Sequence, residues 1–413
     1  MMFSRCNPAL LLALGCALSM ALSDDAAFAQ DRSRGDMLRE RLKTRPGDPT
    51  LYYYLALFEI EDGHKEAGIA ALREVARLGR GFLPTRGGGF DAAWNDTAFQ
   101  STYAQLEAQL PRVTEARTLF RLDKSLIPEG IAYDPKQKAW YVGSVATGWI
   151  VRVDSAGAVA RFVPPSPWNP ILGLAIDAGR RRLHAVRTNG FLALGRGKQS
   201  VNEILSFDLD AGTLARTVAV PGAVQLNDVV VAANGDVYAS DTQGGSVYRI
   251  RETGGVVDTV IAGALPGANG IALSADGAAL YVAHSSGVAR VRLADRNVLP
   301  RIAAPEGETI AAIDGLYRDG AVLIGIQNVT NPGRVIRIHL KADGDGAERI
   351  ETLLSHHHPD IDEPTTGVVV GRTFALLATT QVARYTPEGK IASPETLKPP
   401  VVLAIDLDRA LKN

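Results

Sequence analysis

The chain reads as an all-β protein, a six-bladed β-propeller preceded by a small α-helical segment. Three observations predict this. The apolar period changes from helical to alternating near Pro111, a strand-turn-strand unit then recurs six times, and the recurrence distance is that of one four-stranded blade.

The first thirty residues differ from the rest. Arg5 gives a short positive start, an apolar run follows from Ala9 to Leu22, and Ala27-Phe28-Ala29 offers a small-x-small cleavage pattern. A run of that length is too short to span a bilayer, so residues 1–29 are expected to be a secretory signal and the protein to be exported to the periplasm. Both cysteines, Cys6 and Cys16, lie inside this segment, which leaves the remainder without disulfides or thiol chemistry. Leu14-Gly15-Cys16 is a poor match to a lipid-attachment site, and no lipid anchor or membrane span is expected. Residues 30–112 carry the helical period. Leu51, Leu55 and Phe58, then Ala67, Ala70, Leu72, Val75 and Leu78 after the Asp62-Gly63 turn, predict two amphipathic helices. Pro46-Gly47-Asp48-Pro49 starts the first of them with turn chemistry and a helix-initiating proline. The pair resembles one tetratricopeptide unit, and since one unit cannot form a solenoid it must pack on something else, the ring or a protein partner. Gly87-Gly88-Gly89 lacks the lysine and hydroxyl residue of a phosphate loop and reads as a linker. A last helix, about Asp96 to Leu110, has Asn95 as its expected cap.

From 113 to 413 the period is two. The six first strands begin at Glu129-Gly130, Leu172-Gly173, Asn227-Asp228, Asn269-Gly270, Asp314-Gly315 and Thr366-Gly367, with spacings of 42 to 55 residues. Hairpin turns fall at Asn234-Gly235, Asp276-Gly277 and Asp319-Gly320. The last unit has three clear strands. Its fourth is expected at the other end, in Thr118 to Leu122, closing the ring and removing exposed sheet edges.

Lysine plus arginine (44) balances aspartate plus glutamate (45) at a net charge of −1, with no basic stripe, which argues against nucleic acid and anionic membrane as partners. No nucleophile elbow, zinc-protease helix motif or dinucleotide fingerprint occurs. Chemistry is sought instead in the column of residues that begins the six inner strands, since equivalent positions of a propeller face a common axis. It reads Glu129, Leu172, Asn227, Asn269, Asp314 and Thr366. Asn and Asp also flank strands simply as turn formers. Four carboxylate or amide side chains in register with an independent repeat point to one hard divalent cation, with Glu129, Asn227, Asn269 and Asp314 as ligands and Ca2+ as the ion that suits oxygen donors.

Pro128-Glu129-Gly130, Leu226-Asn227-Asp228, Ala268-Asn269-Gly270 and Ile313-Asp314-Gly315 together resemble the metal-site motifs of the senescence marker protein/gluconolactonase (regucalcin-like) family, from about Arg117 to the C-terminus. The resemblance implies that Glu129, Asn269 and Asp314 hold the metal, that Asn227 contacts metal or substrate, and that the substrate is a small lactone or related ester. It also implies Asp314 as the group that takes a proton from the attacking water, beside a carbonyl polarised by the metal. Two positions depart from the family. Gln225 stands where lactone-opening relatives often have a substrate-binding arginine, and His284 where they commonly have aspartate. Both remain substrate-binding candidates, as does Arg187, which with Arg196 and Lys198 lies on a long loop able to cover anionic substrates. His284 can serve in proton transfer or as a packed loop residue. His356-His357-His358 cannot all reach one metal and read as a loop, His184 as structural, and Trp168 as a mouth or capping residue. The competing reading is a non-enzymatic propeller acting as a protein- or ligand-binding module, with the helices as its docking element.

Overall fold

The computed structural model describes residues 33–163, 170–190, 200–298, 301–386 and 388–409. The expected signal segment and its two cysteines, Trp168, Arg196 and Lys198 lie outside them. No helix among the described residues is long and apolar enough to cross a membrane.

Four helices come first: α1 (Arg34–Thr44), α2 (Pro49–Glu61), α3 (Lys65–Leu78) and α4 (Thr97–Ala108). Capping sets their starts. Ser33 accepts from the Asp36 amide at the head of α1, and Asp48 accepts from Thr50, with Pro49 in the first turn of α2. The cap of α4 is Asp96 rather than Asn95. Its carboxylate takes the amides of Ala98 and Phe99, which a residue one step earlier does not do. Helix α1 was not separated from its neighbours in the sequence, because its buried apolar residues are only Leu38 and Leu42. Helix α2 is not amphipathic as expected but buried on every side, from Thr50 to Ile60. Helices α1 and α3 cover two of its faces. The third meets the ring, where Thr50 Oγ1 lies 3.4 Å from Thr309 Oγ1 and the Tyr54 hydroxyl reaches Ser285 O.

Six four-stranded antiparallel sheets follow, each starting with its inner strand. Blade one spans Pro128–Val163, blade two Ile171–Ala219, blade three Leu226–Ile261, blade four Ile271–Val298 and blade five Ile313–Ser355. Blade six takes three strands from Gly367–Asp406 and its outermost from Arg117–Arg121, which pairs antiparallel with Val401–Asp406. First and last segments of the ring thus share one sheet, and no blade presents the seam as an open edge.

The second position of each repeat now has a physical reason. A Cβ on Gly270 would fall 2.5 Å from Asp314 O and overlap the Leu316 amide of the next blade. On Gly173 it would fall 2.7 Å from the Asp228 Cα, and on Gly315 2.8 Å from Thr365 O. Neighbouring inner strands approach so closely around the channel that side chains are excluded there. Blade three carries Asp228 instead, whose carboxylate accepts from Val229 and, across the blade boundary, from Ile271.

Two predictions follow from this packing. Gly270→Ala should destabilise the ring by about 1–3 kcal/mol or more, as forced overpacking does, measurable as a lowered melting temperature. His184, 2% exposed and paired with Ser206 Oγ at 2.9 Å, is the structural residue expected, and burial pushes its pKa down to about 4. Because the folded value lies below the unfolded one of about 6.5, its stabilising effect is complete above that pH and is lost as pH falls towards 4. His184→Gln should therefore flatten part of the acid limb of a pH-stability curve, by on the order of 3 kcal/mol.

Candidate functional site: an oxygen-lined cavity at the ring mouth

The turn into each inner strand decides where the column residues point. Register shifts interrupt the pairing of inner and second strands between Pro128 and Ile131, Ile171 and Leu174, Leu226 and Val229, and Ile313 and Leu316. These irregularities bracket Glu129, Leu172, Asn227 and Asp314, and bulges of this kind re-aim side chains beside functional sites. Ile127 and Ala312, two residues ahead of Glu129 and Asp314, hold positive φ angles of 42° and 53°. Such backbone is costly for a β-branched residue and clusters at functional sites.

The result is a cavity of about 700 Å³ lined by Glu129, Leu172, Gln225, Asn227, Asn269, His284 and Asp314 together. Asn269 Nδ2 donates to Asp314 Oδ1 at 2.7 Å, and Asn328 Nδ2 donates to Asp314 Oδ2 at 2.6 Å. Asn227 Nδ2 donates to Thr242 Oγ1 at 2.9 Å, and Thr242 is itself anchored on Ala268 O. That chain leaves Asn227 Oδ1 buried and without a partner, as is Glu129 Oε2. Both amide atoms of Gln225, which is fully buried, are also unpartnered. The sixth column residue, Thr366, turns away and donates to the backbone oxygen of Glu129.

Burial dominates the electrostatics. It pushes Asp314 up to about 6 against the two amide hydrogen bonds that favour its ionised form. Glu129 is raised further by burial and by the nearby Asp314 and Asp228. Asp228 is pushed up to about 7 and Glu363 to about 8, again mainly by burial. Among the described residues, the only lysine or arginine side chains lining the cavity are Arg86 and Arg384, and both are exposed. Clustered buried carboxylates with unpartnered oxygens and no buried basic partner are what a hard divalent cation satisfies. Glu129, Asn227, Asn269 and Asp314 all line the cavity and could hold such an ion by their donor chemistry. His284 is buried, pushed down to about 4 by burial and by Arg301, and lies 3.3 Å from Ser286 Oγ. It faces the cavity as a neutral imidazole.

Other expectations need correction. Arg187 does not line the cavity; its guanidinium is committed to Glu203, with Nε at 2.6 Å. The Gly87-Gly88-Gly89 stretch is no mere linker, since Gly87 and Gly88 form part of the cavity wall. They belong to a roof supplied by the helical segment, with Tyr53, Tyr54 and Leu57 of α2 and the following Thr85 and Arg86. The roof is pinned by Leu83 N donating to Thr330 O at 2.7 Å and by Asn331 Nδ2 donating to Gly81 O at 3.0 Å. Gly81 adopts a φ of 87°, and a Cβ there would overlap the buried Arg334 guanidinium. The connection between the second and third strands of blade six completes the mouth with Val382, Ala383 and Arg384.

Reading the column of inner-strand starts found four of these residues but missed Asn328. It lies one residue past the second strand of blade five, in register with Ser285 and Thr242 and one step beyond Gln327, the equivalent of His284. Nothing in the sequence marked Tyr53 or Tyr54 as facing the ring.

A six-bladed ring with an oxygen-lined axial mouth defines the class. Residues 127–297 match the family model described as the SMP-30/Gluconolactonase/LRE-like region, so blades one to four carry a gluconolactonase-like propeller sequence. The match includes Glu129, Asn227 and Asn269 but stops short of Asp314 and of the helical segment. Similar solved structures include a gluconolactonase from Xanthomonas campestris, at 18% identity, covering 71% of this chain and 91% of that one with a TM-score of 0.49. A luciferin-regenerating enzyme shows 12% identity over 71% of this chain and 96% of that one, TM-score 0.49. An aldose sugar dehydrogenase of Streptomyces coelicolor shows 16% identity over 72% and 99%, TM-score 0.46. Comparison with curated proteins gives no match.

Calcium titration of metal-depleted protein should raise its melting temperature. Glu129→Gln should weaken that binding by roughly 10–100-fold, the scale on which losses around a metal site act, as read by calorimetry.

Proposed function

We propose that the protein is an exported, periplasmic hydrolase of a lactone or related ester that depends on a divalent cation, Ca2+ by the chemistry of its donors. The observation that carries this is the convergence of Glu129, Asn227, Asn269 and Asp314 on one cavity, with buried oxygens of Glu129 and Asn227 left unpartnered.

When bound, the cation supplies Lewis-acid polarisation of the substrate carbonyl. Asp314 is the proton acceptor. Asn269 and Asn328 hold its two oxygens in place and so orient the carboxylate for the transfer. Water attacks the carbonyl carbon as its proton passes to Asp314. The acyl C–O bond then breaks, and that proton returns to the departing alkoxide oxygen. Gln225 offers a donor and an acceptor to the substrate's polar groups, a neutral amide in place of a guanidinium.

The roof shapes the substrate. Tyr53, Tyr54, Leu57, Val329 and Val382 line the upper cavity, which is of the size that takes a drug-sized ligand rather than a single small ring. An ester or lactone with an aryl or alkyl substituent buries that substituent against these side chains, whereas a polyhydroxylated sugar lactone leaves its hydroxyls unpaired there.

The test is a panel of alkyl-, aryl- and sugar-derived lactones and esters, assayed with and without chelator. Turnover should require the cation, favour the apolar members, and fall by about 100-fold or more in Asp314→Asn. Cation uptake without turnover on any member would replace this reading with a ligand-binding propeller.

A further inference from the structure

We propose that Glu107, His356 and His357 form a second metal site, for a transition-metal ion of the zinc class, which staples the helical segment to the ring. Glu107 lies near the end of α4, and the two histidines directly follow the outer strand of blade five, Ala347–Ser355. One ligand atom from each of the three lies within 4.8 Å of the other two.

The surroundings favour ligation over a simple surface loop. The His356 and His357 rings lie side by side, their centroids 4.0 Å apart and their planes tilted by 33°, so adjacent residues can serve one point. His356 Nε2 is buried with no hydrogen-bond partner, a costly state for a ring nitrogen that coordination would relieve. His357 Nδ1 lies 2.9 Å from Ser355 Oγ, which leaves Nε2 as the ligating atom of that ring. Ser355 is itself locked to the strap joining helices and ring, with Ser355 N donating to Val113 O at 2.8 Å and Val113 N to Ser355 Oγ at 3.1 Å. Outer partners of this kind orient metal-binding imidazoles. His358 lies outside the group whose ligand atoms come within 4.8 Å of one another, and its Nδ1 accepts from the Asp360 amide.

Ligand chemistry selects the ion. Two imidazoles and a carboxylate suit zinc and its neighbours and leave an open position for water. Arg112 faces both imidazoles and opposes added positive charge, which Glu107 offsets. An ion held only by electrostatics, such as Ca2+, gains little there, while one that forms strong bonds to nitrogen does. The site therefore differs in kind from the all-oxygen set at the ring mouth. Coordination would tie α4 to blade five beside Pro111–Val113, where the chain passes from the helices into the ring, and would steady the segment that roofs the cavity.

The experiment is zinc titration of untagged, metal-depleted protein by calorimetry, with melting temperature in parallel. Wild type should bind zinc at micromolar or lower concentration and melt at a higher temperature when loaded. His356→Ala and Glu107→Gln should each weaken zinc binding by about tenfold or more, while Glu129→Gln leaves it unchanged. X-ray absorption of the loaded protein should report two imidazole nitrogens. No zinc uptake by wild type, or uptake that falls with Glu129→Gln and not with His356→Ala, would overturn the assignment. Glu107 is exposed, so Glu107→Gln should fold even if a histidine variant does not.

Discussion

The close approach of the six inner strands is the constraint on which the rest of this molecule depends. Around the channel, backbone from one blade lies where the side chain of its neighbour would be. Glycine therefore occupies the second position in blades one, two, four and five, and in blade three Asp228 bonds across the gap, while Gly367 of blade six is confined by Phe374 and Ala375 of its own sheet. In blades one, three and five the inner strand also slips register against its partner at the mouth, at Glu129, Asn227 and Asp314, whereas Asn269 reaches the cavity from a strand paired without a shift. Glu129 and Asp314 are then left in a low-dielectric cavity without a buried basic side chain to balance them. Carboxyl groups in that position either take up a proton more readily, as the raised values of Glu129 and Asp314 reflect, or are stabilised by a cation or ligand. Ring closure and a demand for positive charge are thus two aspects of one packing problem.

The helices solve a different one. A ring mouth of this kind is open to water, and electrostatic chemistry weakens there. Helix α2 is buried along most of its length because it lies between two other helices and the ring, and it brings Tyr53, Tyr54 and Leu57 over the cavity. Its contacts with Thr309 and Ser285 fix it to the rim. Helix α2 keeps little free surface of its own, and the helical segment forms part of the cavity wall.

Legibility in the sequence followed physical range. Repeats, turn pairs and the glycine column are local or periodic, so they show in a linear reading. The candidate ligands showed because a propeller makes distant residues equivalent, which lets one column be read across the repeats. Asn328 was equally legible in the neighbouring column. Arg187 was not, since a strand residue pairing with Glu203 on the adjacent strand looks the same in sequence as one facing a substrate.

By itself the sequence determined the architecture, the number of blades, the strand that closes the ring and the oxygen character of the central column, because periodicity and residue chemistry belong to the chain. Tertiary structure alone decided that Gly87 and Gly88 line a cavity, that Tyr53 and Tyr54 roof it, and that Glu107 meets His356 and His357. These juxtapositions come from docking a helical segment onto a ring, with contacts spanning about 250 residues, such as Asn331 with Gly81. No local propensity encodes a surface that exists only once both partners have folded.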